Sequence, residues 1–574
     1  MTRLQHPGHL EDWRKRLLEE TTSIRRTIVV TAGTCGRAGG ALEIRDALQA
    51  EIDRLGAGDK VELLVTGCHG FCEMEPSVVV QPEGIFYGRL KPADAEAVVK
   101  QTGLAGKVVE RLTFEIPSTG RRIARMDQIP FYKKQMRLVS EANLKVDPER
   151  IEDYIRIGGY RGLAKGLFDM TSEGVIEEVK AAGLRGRGGA GFPTAVKWEL
   201  CRKASGHPKY VVCNADEGDP GAYMDRSLLE GNPHAVIEGM ILGAYAMGAA
   251  EGFVYVRGEY PLAVKNVERA ISQARACGLL GQNILGSEFH FDLQVVQGAG
   301  AFVSGEETAM MASIEGRKAF PRQRPPFPSE SGLWGKPTNI NNVETWANVP
   351  IVLDRGSARF ASVGTEKSKG TKIFSLVGQI RNTGLVEVPM GLSLREIIED
   401  IGGGVPEGRS LKAVQTGGPS GGCIPASALD LRMDFESLAK AGSIMGSGGM
   451  IVLDDRTCIV DLARYYLHFL EEESCGKCVP CRAGTRRMSE LLKRMTSGRA
   501  EEGDLARLEA LARTVKTASL CGLGQTAANP VLSTVAHFRE EYEIHIREKR
   551  CPAGVCRDLV SPPSARPAGK KERP

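Results

Sequence analysis

Four cysteines near the C-terminus have the spacing of a metal centre. Cys475, Cys478 and Cys481 form a C-x2-C-x2-C triplet, and Cys521 follows in the string SLCGLG. Three thiolates so close together can cap one face of an iron–sulfur cubane, and a distant fourth completes its coordination. A structural zinc ion is the alternative, but zinc sites more often use two separated pairs of ligands. The spacing therefore favours a 4Fe-4S cluster.

A second group of cysteines lies near the N-terminus. Cys35 is in the string GTCG, and Cys68 and Cys72 are in the string TGCHGFC. A 2Fe-2S cluster takes four ligands, commonly cysteine or histidine, so these three residues leave one place to fill. His69 or a ligand from outside the chain is a candidate for that place. Two interpretations stay open: a complete 2Fe-2S cluster, or a domain that has lost its cluster and serves in docking.

A third group of candidate metal ligands lies close to the C-terminus, after the cysteine triplet. His545, Cys551 and Cys556 offer three ligands of the kind that zinc prefers, and Cys458 is a candidate for the fourth. The alternative is that the two late cysteines are idle thiols in a flexible tail. Four other cysteines lack metal-binding spacing and are predicted to be small core or loop residues: Cys201, Cys213, Cys277 and Cys423.

A glycine-rich run from Gly183 to Gly191 precedes a stretch that suits a helix. Glycine lets the backbone approach a phosphate closely, and the N–H groups at a helix start favour an anion. Arg187 and Lys197 add positive charge for a phosphate or a flavin ring. The run matches neither a P-loop nor a Rossmann fingerprint. Taken alone, it leaves phosphate binding and a plain flexible turn as alternatives.

Polar and acidic residues follow the predicted strand Tyr210–Cys213, in the stretch Asn214–Gly221. A polar cluster at the C-terminal end of a strand is the usual place of ligand contact in an open α/β sheet. A second acidic pair, Glu306 and Glu307, follows a predicted strand near Val295. For each cluster, a solvated loop is the alternative.

The elements that must position these residues form several domains, because 574 residues are too many for one hydrophobic core. Residues 26–105 have a βα then ββα order that suits a thioredoxin-like domain. The other units are an N-terminal extension (1–25), a linker (106–150), an open α/β domain (151–365), a β-grasp-like domain (366–455), a helical domain (456–547) and a cysteine-containing tail (548–574). The end of that tail, Ser561–Pro574, is rich in Pro and Lys and is predicted to be disordered.

Composition narrows the possible partners and compartments. A formal charge of +4 is small for this length, so nucleic acid is not an expected partner. The N-terminus lacks the apolar region of a secretory signal, and the stretch Gly239–Ala250 is shorter than the ~20 residues that span a bilayer. Fourteen cysteines favour metal or redox chemistry in a reducing compartment. We expect a soluble cytoplasmic protein.

Four strings occur in an order that identifies a resemblance: GLRGRGGAGFPTAVKW, NADEGDPGAYMDR, GEETAMMASIEG and GLWGKPTNINNVET. With ESCGKCVPCR and SLCGLG, they resemble the FMN-bearing, NADH-oxidising subunit of complex I. The diaphorase subunits of NAD(P)-linked hydrogenases and formate dehydrogenases share this pattern. The resemblance covers roughly residues 160–546. The N-terminal strings resemble thioredoxin-like 2Fe-2S ferredoxins, and residues 366–455 resemble the SLBB type of β-grasp domain.

The resemblance implies hydride exchange between NAD(H) and FMN, followed by single-electron transfer through the 4Fe-4S cluster. No catalytic side chain is assigned, because hydride transfer is the chemistry of the cofactors. The implied FMN contacts are Gly186, Arg187, Gly188, Lys197, Asn214, Asp216, Glu217, Gly305, Glu306, Asn341 and Asn342. The implied nucleotide contacts are Phe192, Asp219, Glu307, Arg324 and Phe327.

Three residues depart from the complex I pattern. Asp219 replaces Glu, Arg324 replaces Lys, and Leu200 replaces an aromatic residue. Arginine binds a phosphate group better than lysine does, because its planar guanidinium can donate two hydrogen bonds at once. NADPH therefore stays an alternative to the favoured NADH.

The fused N-terminal domain, Asp219 and the CPAGVC tail resemble the diaphorase subunit of trimeric, electron-bifurcating iron hydrogenases. This resemblance implies a hetero-oligomer with a hydrogenase catalytic subunit, a small thioredoxin-like 2Fe-2S subunit and, as a further partner, ferredoxin. A formate dehydrogenase or a complex I-like enzyme is the alternative assembly. A scaffold that carries clusters and binds nucleotide without turnover is the alternative of another class.

Overall fold

The Ile- and Val-rich run near residue 28 forms a central strand of the first sheet. The computed structural model describes residues 3–20, 26–117 and 119–559. The first sheet contains β1 (Arg26–Thr31), β2 (Val61–Thr66), β3 (Val78–Gln81) and β4 (Ile85–Tyr87), in the order β2-β1-β3-β4. The helices here are α1 (Pro7–Glu20), α2 (Thr34–Ala38), α3 (Ala41–Arg54) and α4 (Ala95–Ala97), and a π-helix follows at Val98–Leu104. Strand β4 is one strand more than the predicted order contains.

Residues 106–150, predicted to be a linker, pack closely against their neighbours. They form the hairpin β5 (Phe114–Glu115) and β6 (Arg122–Ile123) and the short helix α5 (Pro130–Lys133). The ring of Phe131 stacks on Phe71, with centroids 4.1 Å apart. Periodicity is weak here because the buried contacts come from other units.

A parallel sheet of four strands lies at the centre of the chain, in the order β10-β7-β8-β9. The strands are β7 (Tyr210–Ala215), β8 (Glu251–Arg257), β9 (Asp292–Gly298) and β10 (Thr338–Asn342). Its helices are α6 (Ile151–Arg156), α7 (Arg161–Phe168), α8 (Ser172–Ala181), α9 (Thr194–Lys203), α10 (Met224–Gly231), α11 (Pro233–Met247), α12 (Pro261–Ala276), α13 (Glu307–Ile314), α14 (Val343–Arg355) and α15 (Ser357–Ala361). This is the predicted open α/β architecture.

Helix α11 accounts for the longest apolar stretch of the sequence. It is buried on nearly every side, between the sheet and α14. A Cβ at Gly239 would lie 2.0 Å from the backbone oxygen of Trp346, so the two helices approach closely only because this residue is glycine. Within the described ranges, no helix combines the length and hydropathy needed to cross a membrane.

A five-stranded mixed sheet follows, in the order β12-β11-β15-β13-β14. Its elements are β11 (Thr371–Gly378), β12 (Gly384–Pro389), β13 (Leu411–Thr416), β14 (Gly422–Pro425), α16 (Phe435–Lys440) and β15 (Gly449–Asp454). A π-helix lies at Glu396–Ile401. The parallel pairing of β11 with β15 inside an otherwise antiparallel sheet agrees with the predicted β-grasp-like fold.

The C-terminal region is helical. It contains α17 (Ile459–Glu472), α18 (Val479–Thr496), α19 (Asp504–Ala518), α20 (Gly522–Thr526) and α21 (Asn529–Arg547). The apolar face of α17 is buried at Tyr466 and Leu470. The predicted disorder of Ser561–Pro574 lies outside the described residues.

Candidate functional site

The polar residues that follow β7 and β10 lie side by side at one edge of the parallel sheet. Asn342 pairs in register with Asn214, and Asn341 pairs with Cys213. Because the strands are parallel, their carboxyl ends meet at this edge, which is where open α/β sheets bind ligands. The Asn214 side chain donates to the backbone oxygen of Gly305 at 2.9 Å. The edge thus joins three of the four sequence strings.

The glycine-rich loop lies directly on this edge. A Cβ at Gly188 would lie 2.8 Å from the Cβ of Asn342, whereas a Cβ at Gly189 would have no neighbour within 4 Å. The backbone N–H of Arg187 donates to Thr345 Oγ1 at 2.8 Å. One side of the loop is therefore packed and the other is open, so a flat or anionic ligand can approach its backbone closely.

The Arg187 guanidinium is turned into the protein. It donates to the backbone oxygens of Arg185 and Lys369 at 2.7 Å each and to that of Thr371 at 3.2 Å. Burial lowers the pKa of Arg187 to about 10. The side-chain charge predicted to face a phosphate instead fastens the loop to β11. The open glycines of the loop are left for a cofactor.

Asp216 has a buried oxygen without a partner. Its Oδ1 is 3.4 Å from Arg257 Nη1, whereas its Oδ2 has no hydrogen bond and lies 3.3 Å from a Cβ position at Gly305. Burial raises the pKa of Asp216 to about 7, although Arg257 opposes the shift. An unsatisfied buried acceptor is costly, and the hydroxyl groups of a flavin side chain are donors of the required kind. This oxygen and the open loop fit FMN.

Two carboxylates predicted to contact flavin fix the starts of helices. Glu217 accepts hydrogen bonds from the backbone N–H groups of Asp225 and Arg226 at 3.0 Å each. Glu306 accepts two bonds of 3.0 Å from the first turn of α13. Burial raises the pKa of Glu217 to about 7. These caps hold α10 and α13, and with them the loops that carry the remaining site residues.

Asp225 joins this group; it lies in the string NADEGDPGAYMDR but has no role assigned from the sequence. Asn342 Nδ2 donates to Asp225 Oδ2 at 2.5 Å, and the second carboxylate oxygen is buried without a partner. Burial raises the pKa of Asp225 well above its usual value. An aspartate in the first turn of a helix is normally read as a favourable surface charge. Its burial against Asn342 is evident only in the fold.

The predicted nucleotide residues adjoin the flavin edge. Glu307 Oε1 is paired with Lys197 Nζ, and its Oε2 lies 3.4 Å from Arg324 Nη1. Lys197 also donates to the backbone oxygen of Ile340, in the middle of β10, at 2.6 Å. This chain of charges is partly exposed, so a nucleotide phosphate or ribose can reach it.

Exposed rings accompany that chain of charges. Phe192 is 52% exposed and Phe327 is 50% exposed, which is unusual for rings of this size. Exposed aromatic faces offer large contact area in a fixed geometry. They suit stacking against the flat rings of a dinucleotide.

Asp219 lies against the β-grasp-like unit. Ser447 Oγ donates to Asp219 Oδ2 at 2.6 Å, across a separation of 228 residues. A Cβ at Gly418 would lie 2.7 Å from the carboxyl carbon of Asp219. Burial raises the pKa of Asp219 to about 6. Ser447, which sequence spacing cannot connect to Asp219, is therefore a second residue found only in the structure.

Four cysteines surround one cavity in the helical region: Cys475, Cys478, Cys481 and Cys521. Val303 and Leu523 contribute apolar walls. Cys481 and Cys521 are buried, and the other two are half-buried. Thiolates around an apolar cavity have the donor chemistry of a 4Fe-4S cluster, so these residues fit that group.

The cavity adjoins the flavin edge. Val303 lines the cavity, and Gly305, two residues later, holds the Asn214 side chain. Glu473, just before the cysteine triplet, accepts a bond from the Phe302 backbone N–H at 2.8 Å. One short segment therefore contacts both halves of the site.

Comparison with known proteins identifies this arrangement. Residues 179–351 match the Nuo51 FMN-binding domain, and residues 461–545 match the NADH-ubiquinone oxidoreductase-F iron-sulfur binding region. The chain is 54% identical over 429 residues to the NADP-reducing hydrogenase subunit HndC of Solidesulfovibrio fructosivorans, covering 75% of this chain and 87% of that one. It belongs to the family of FMN- and iron–sulfur-dependent NAD(P)H oxidoreductase subunits.

Other members of the family agree. The F 2 subunit of NADH-quinone oxidoreductase from Rhizobium meliloti (strain 1021) is 49% identical over 406 residues, covering 71% of this chain and 96% of that one. A crystal structure of NAD+-reducing [NiFe]-hydrogenase in the H2-reduced state matches with a TM-score of 0.65 and 29% identity, covering 94% of this chain and 88% of that one. The two matched family segments coincide with the flavin edge and with the four-cysteine cavity.

The third group of ligands is compact. Cys458, His545, Cys551 and Cys556 are buried, with ligand atoms all within 4.8 Å of one another. His545 Nε2 lies 3.4 Å from Cys458 Sγ and 3.6 Å from Cys556 Sγ. His545 Nδ1 is 2.7 Å from the backbone oxygen of Glu541, a contact that orients the ring as in many zinc sites. Three thiols and an imidazole at this spacing fit one zinc ion.

The N-terminal cysteines do not complete a four-ligand set. Cys35 and Cys68 both lie near Cys72. In the His69 ring, Nε2 lies 2.8 Å from Thr66 Oγ1, whereas Nδ1 is buried without a hydrogen-bond partner. Among the described residues, the three thiols do not form a group whose ligand atoms all lie within 4.8 Å of one another. His69 and a ligand from outside the chain both stay candidates for the fourth place. A complete 2Fe-2S cluster and a docking domain without a cluster therefore both stay predictions.

Proposed function

We propose that this subunit exchanges electrons between NAD(H) and a partner subunit, using FMN on the β7–β10 edge and a 4Fe-4S cluster in the four-cysteine cavity. The observation that carries the proposal is the segment Val303–Gly305, which lines the cavity and also holds Asn214 at the flavin edge. When bound, FMN supplies the change between two-electron hydride chemistry and the one-electron transfer that iron–sulfur centres use.

The chain's own residues bind and orient the reactants. The open glycine loop and the free Asp216 oxygen hold the flavin, with Asn341 and Asn342 at the same edge. On the nucleotide side, Phe192 and Phe327 offer stacking surfaces. Glu307 is held between Lys197 and Arg324, so its charge is partly neutralised before a nucleotide arrives.

An anaerobic titration of the purified, reconstituted chain with NADH tests this function. We expect a yellow flavin spectrum that bleaches on adding NADH, and an artificial dye that is reduced with turnover. A preparation loaded with flavin that does not bleach with NADH or NADPH would instead support the scaffold that binds nucleotide without turnover. Running both nucleotides in parallel decides between the favoured NADH and NADPH.

For the assembly, we propose a hetero-oligomer with a hydrogenase catalytic subunit and a small thioredoxin-like 2Fe-2S subunit, with ferredoxin as a further partner. The relative HndC is named as a subunit of an NADP-reducing hydrogenase, and the matched crystal structure is of an NAD+-reducing hydrogenase. The second candidate, a complex I-like assembly, is favoured by the Rhizobium meliloti relative, which is named as a subunit of NADH-quinone oxidoreductase. Metal analysis of the co-purified complex separates these from a molybdenum- or tungsten-containing formate dehydrogenase.

We further propose that the compact group binds one structural zinc ion. It joins the start of α17 to the end of α21 and to the segment that follows, so it holds in place the helices that carry the cluster cysteines.

A cytoplasmic location is supported by the cysteines, none of which forms a disulfide among the described residues.

A further inference from the structure

The Asp219 carboxylate is held by the β-grasp-like unit and not by its own α/β unit. Ser447 Oγ donates to Asp219 Oδ2 at 2.6 Å. Among the described residues, no second hydrogen-bond donor reaches this carboxylate. Asp219 is half-buried. The protein therefore fixes one carboxylate oxygen and leaves the other, Oδ1, to accept a hydrogen bond from a bound molecule.

The loop that carries Ser447 has a fixed position. It joins α16 to β15 and is rich in glycine. A Cβ at Gly446 would lie 2.6 Å from the Cα of Gly417, and a Cβ at Gly448 would lie 2.4 Å from the backbone oxygen of Ile373. The loop therefore contacts both β11 and the turn after β13, at distances that only glycine allows. These contacts on either side of Ser447 set where its hydroxyl lies.

The turn after β13 forms a wall beside the Asp219 carboxylate. A Cβ at Gly418 would lie 2.7 Å from the Asp219 carboxyl carbon, so the carboxylate occupies the space of a side chain there. Gln415 Nε2 donates to the Gly418 backbone oxygen at 2.9 Å. Asn529 Nδ2, in α21, donates to the Ser420 backbone oxygen at 2.8 Å. The β-grasp-like unit and the helical region thus both hold this wall in place.

The Ser447 hydroxyl favours the ionised form of Asp219. Only the ionised carboxylate is purely an acceptor, as a donor group of a ligand requires. Burial raises the pKa of Asp219 to about 6, and the hydrogen bond from Ser447 opposes that shift. Tyr466, in α17, acts on the same carboxylate, but burial raises the pKa of Tyr466, so this residue is neutral near pH 7. Ser447 therefore both orients the carboxylate and keeps it charged.

We propose that Ser447 is a positioning residue for the nicotinamide nucleotide, so that the β-grasp-like unit takes part in nucleotide binding. Ser447 holds Asp219 Oδ2, and Asp219 Oδ1 accepts a hydrogen bond from an amide or hydroxyl group of the nucleotide. This inference rests on the proposed function, in which Asp219 contacts the nucleotide.

Equilibrium titration of the flavin-loaded full chain with NAD+ and, separately, with NADP+ tests this without turnover. Calorimetry measures the Kd of the tighter-binding nucleotide at pH 6 and pH 8. We expect Ser447→Ala to raise this Kd, and to raise it about fivefold more at pH 6 than at pH 8. The reason is that Asp219 without its hydrogen bond ionises about 1 pH unit higher. Ser447→Thr keeps the hydroxyl and should recover the wild-type values.

Two further variants separate positioning from a general loosening of the unit. Ser443→Ala removes a hydroxyl that bonds Thr416 within the β-grasp-like unit, and it should change the Kd by the same factor at both pH values. In an Asp219→Asn background, Ser447→Ala should also have the same effect at both pH values, because the group that it keeps ionised is gone. Flavin content reports whether each variant has folded.

Two results would overturn the proposal. One is an equal Kd in wild type and Ser447→Ala, and the other is a Kd that rises by the same factor at pH 6 and pH 8. A wild-type chain that binds neither nucleotide would contradict the proposed function, and this inference with it. Binding to wild type is measured in the same series, so the two failures are told apart.

Discussion

The C-terminal helical region contains two groups of four soft ligands that differ in spacing. The four cysteines of the first group line an apolar cavity, with Val303 and Leu523 in its walls. The second group, three cysteines and one histidine, brings its ligand atoms within 4.8 Å of one another. Ligand type alone does not separate a cubane from a single ion, because thiolates serve both. The distance between the ligand atoms separates the two kinds of site.

The two groups also differ in what they join. The cavity lies where the helices meet the α/β unit, through Val303 and the bond from Phe302 to Glu473. The compact group joins the start of α17 to the end of α21 within the helical region itself. The first therefore suits electron transfer from the flavin edge, and the second suits holding the helices together.

Replacing Cys475 tests most strongly whether the two groups of ligands bind different metals. Cys475→Ser removes one thiolate from the cavity and should cost the chain most of its about four iron atoms. Zinc should stay, because the compact group is untouched. Elemental analysis of one sample measures both metals, and Cys201→Ser, a buried cysteine of α9, is the matched control. Loss of iron and zinc together would mean that the two groups are not independent.

The reverse substitution has the next largest effect. His545→Ala should lower zinc from about one atom per chain to nearly none, and the melting temperature should fall by about 5 °C. Iron should remain in protein isolated in the cold. His537→Ala, an exposed histidine of the same helix, should change neither value. A full zinc content in His545→Ala would show that the compact group does not bind the zinc ion.

The cavity wall offers a finer test. Val303→Ser places a polar group beside the cluster, and we expect its reduction potential to rise by roughly 20–60 mV, because hydrogen bonds and polarity stabilise the reduced form. Val303→Ile keeps the wall apolar and should leave the potential unchanged. A redox titration followed by electron paramagnetic resonance measures both. Equal potentials in the two variants would place Val303 away from the cluster.

The smallest expected effect concerns the bond between the two halves of the site. Glu473→Ala removes the acceptor for the Phe302 backbone N–H, a hydrogen bond that contributes about 1 kcal/mol. The rate of cluster reduction by NADH should fall by about fivefold at unchanged iron content. Glu473→Gln keeps a carbonyl acceptor and should recover the rate. An unchanged rate in Glu473→Ala would show that this contact does not align the halves.

Local patterns were enough for much of this molecule. The parallel sheet, the helical region and the cysteine triplet follow from periodicity and short spacing, which the chain keeps on folding. The predicted linker, residues 106–150, is different. Its periodicity is weak because its buried contacts come from other units, as in the stacking of Phe131 on Phe71.

The remaining differences arise from contacts between distant residues. The direction of the Arg187 guanidinium depends on carbonyls near residue 370, and Ser447 reaches Asp219 from another sheet. No spacing rule connects such partners. A side chain's type can be read from the sequence, but its direction is set by the fold.

Rapid mixing of the reconstituted chain with NADH under anaerobic conditions tests the central claim most directly. Flavin absorbance and the paramagnetic signal of the reduced cluster are followed in the same sample. We predict that flavin bleaching precedes the cluster signal and that the signal is absent from Cys475→Ser, which still bleaches. A flavin that bleaches while an intact cluster stays oxidised would contradict electron transfer across the Val303–Gly305 segment.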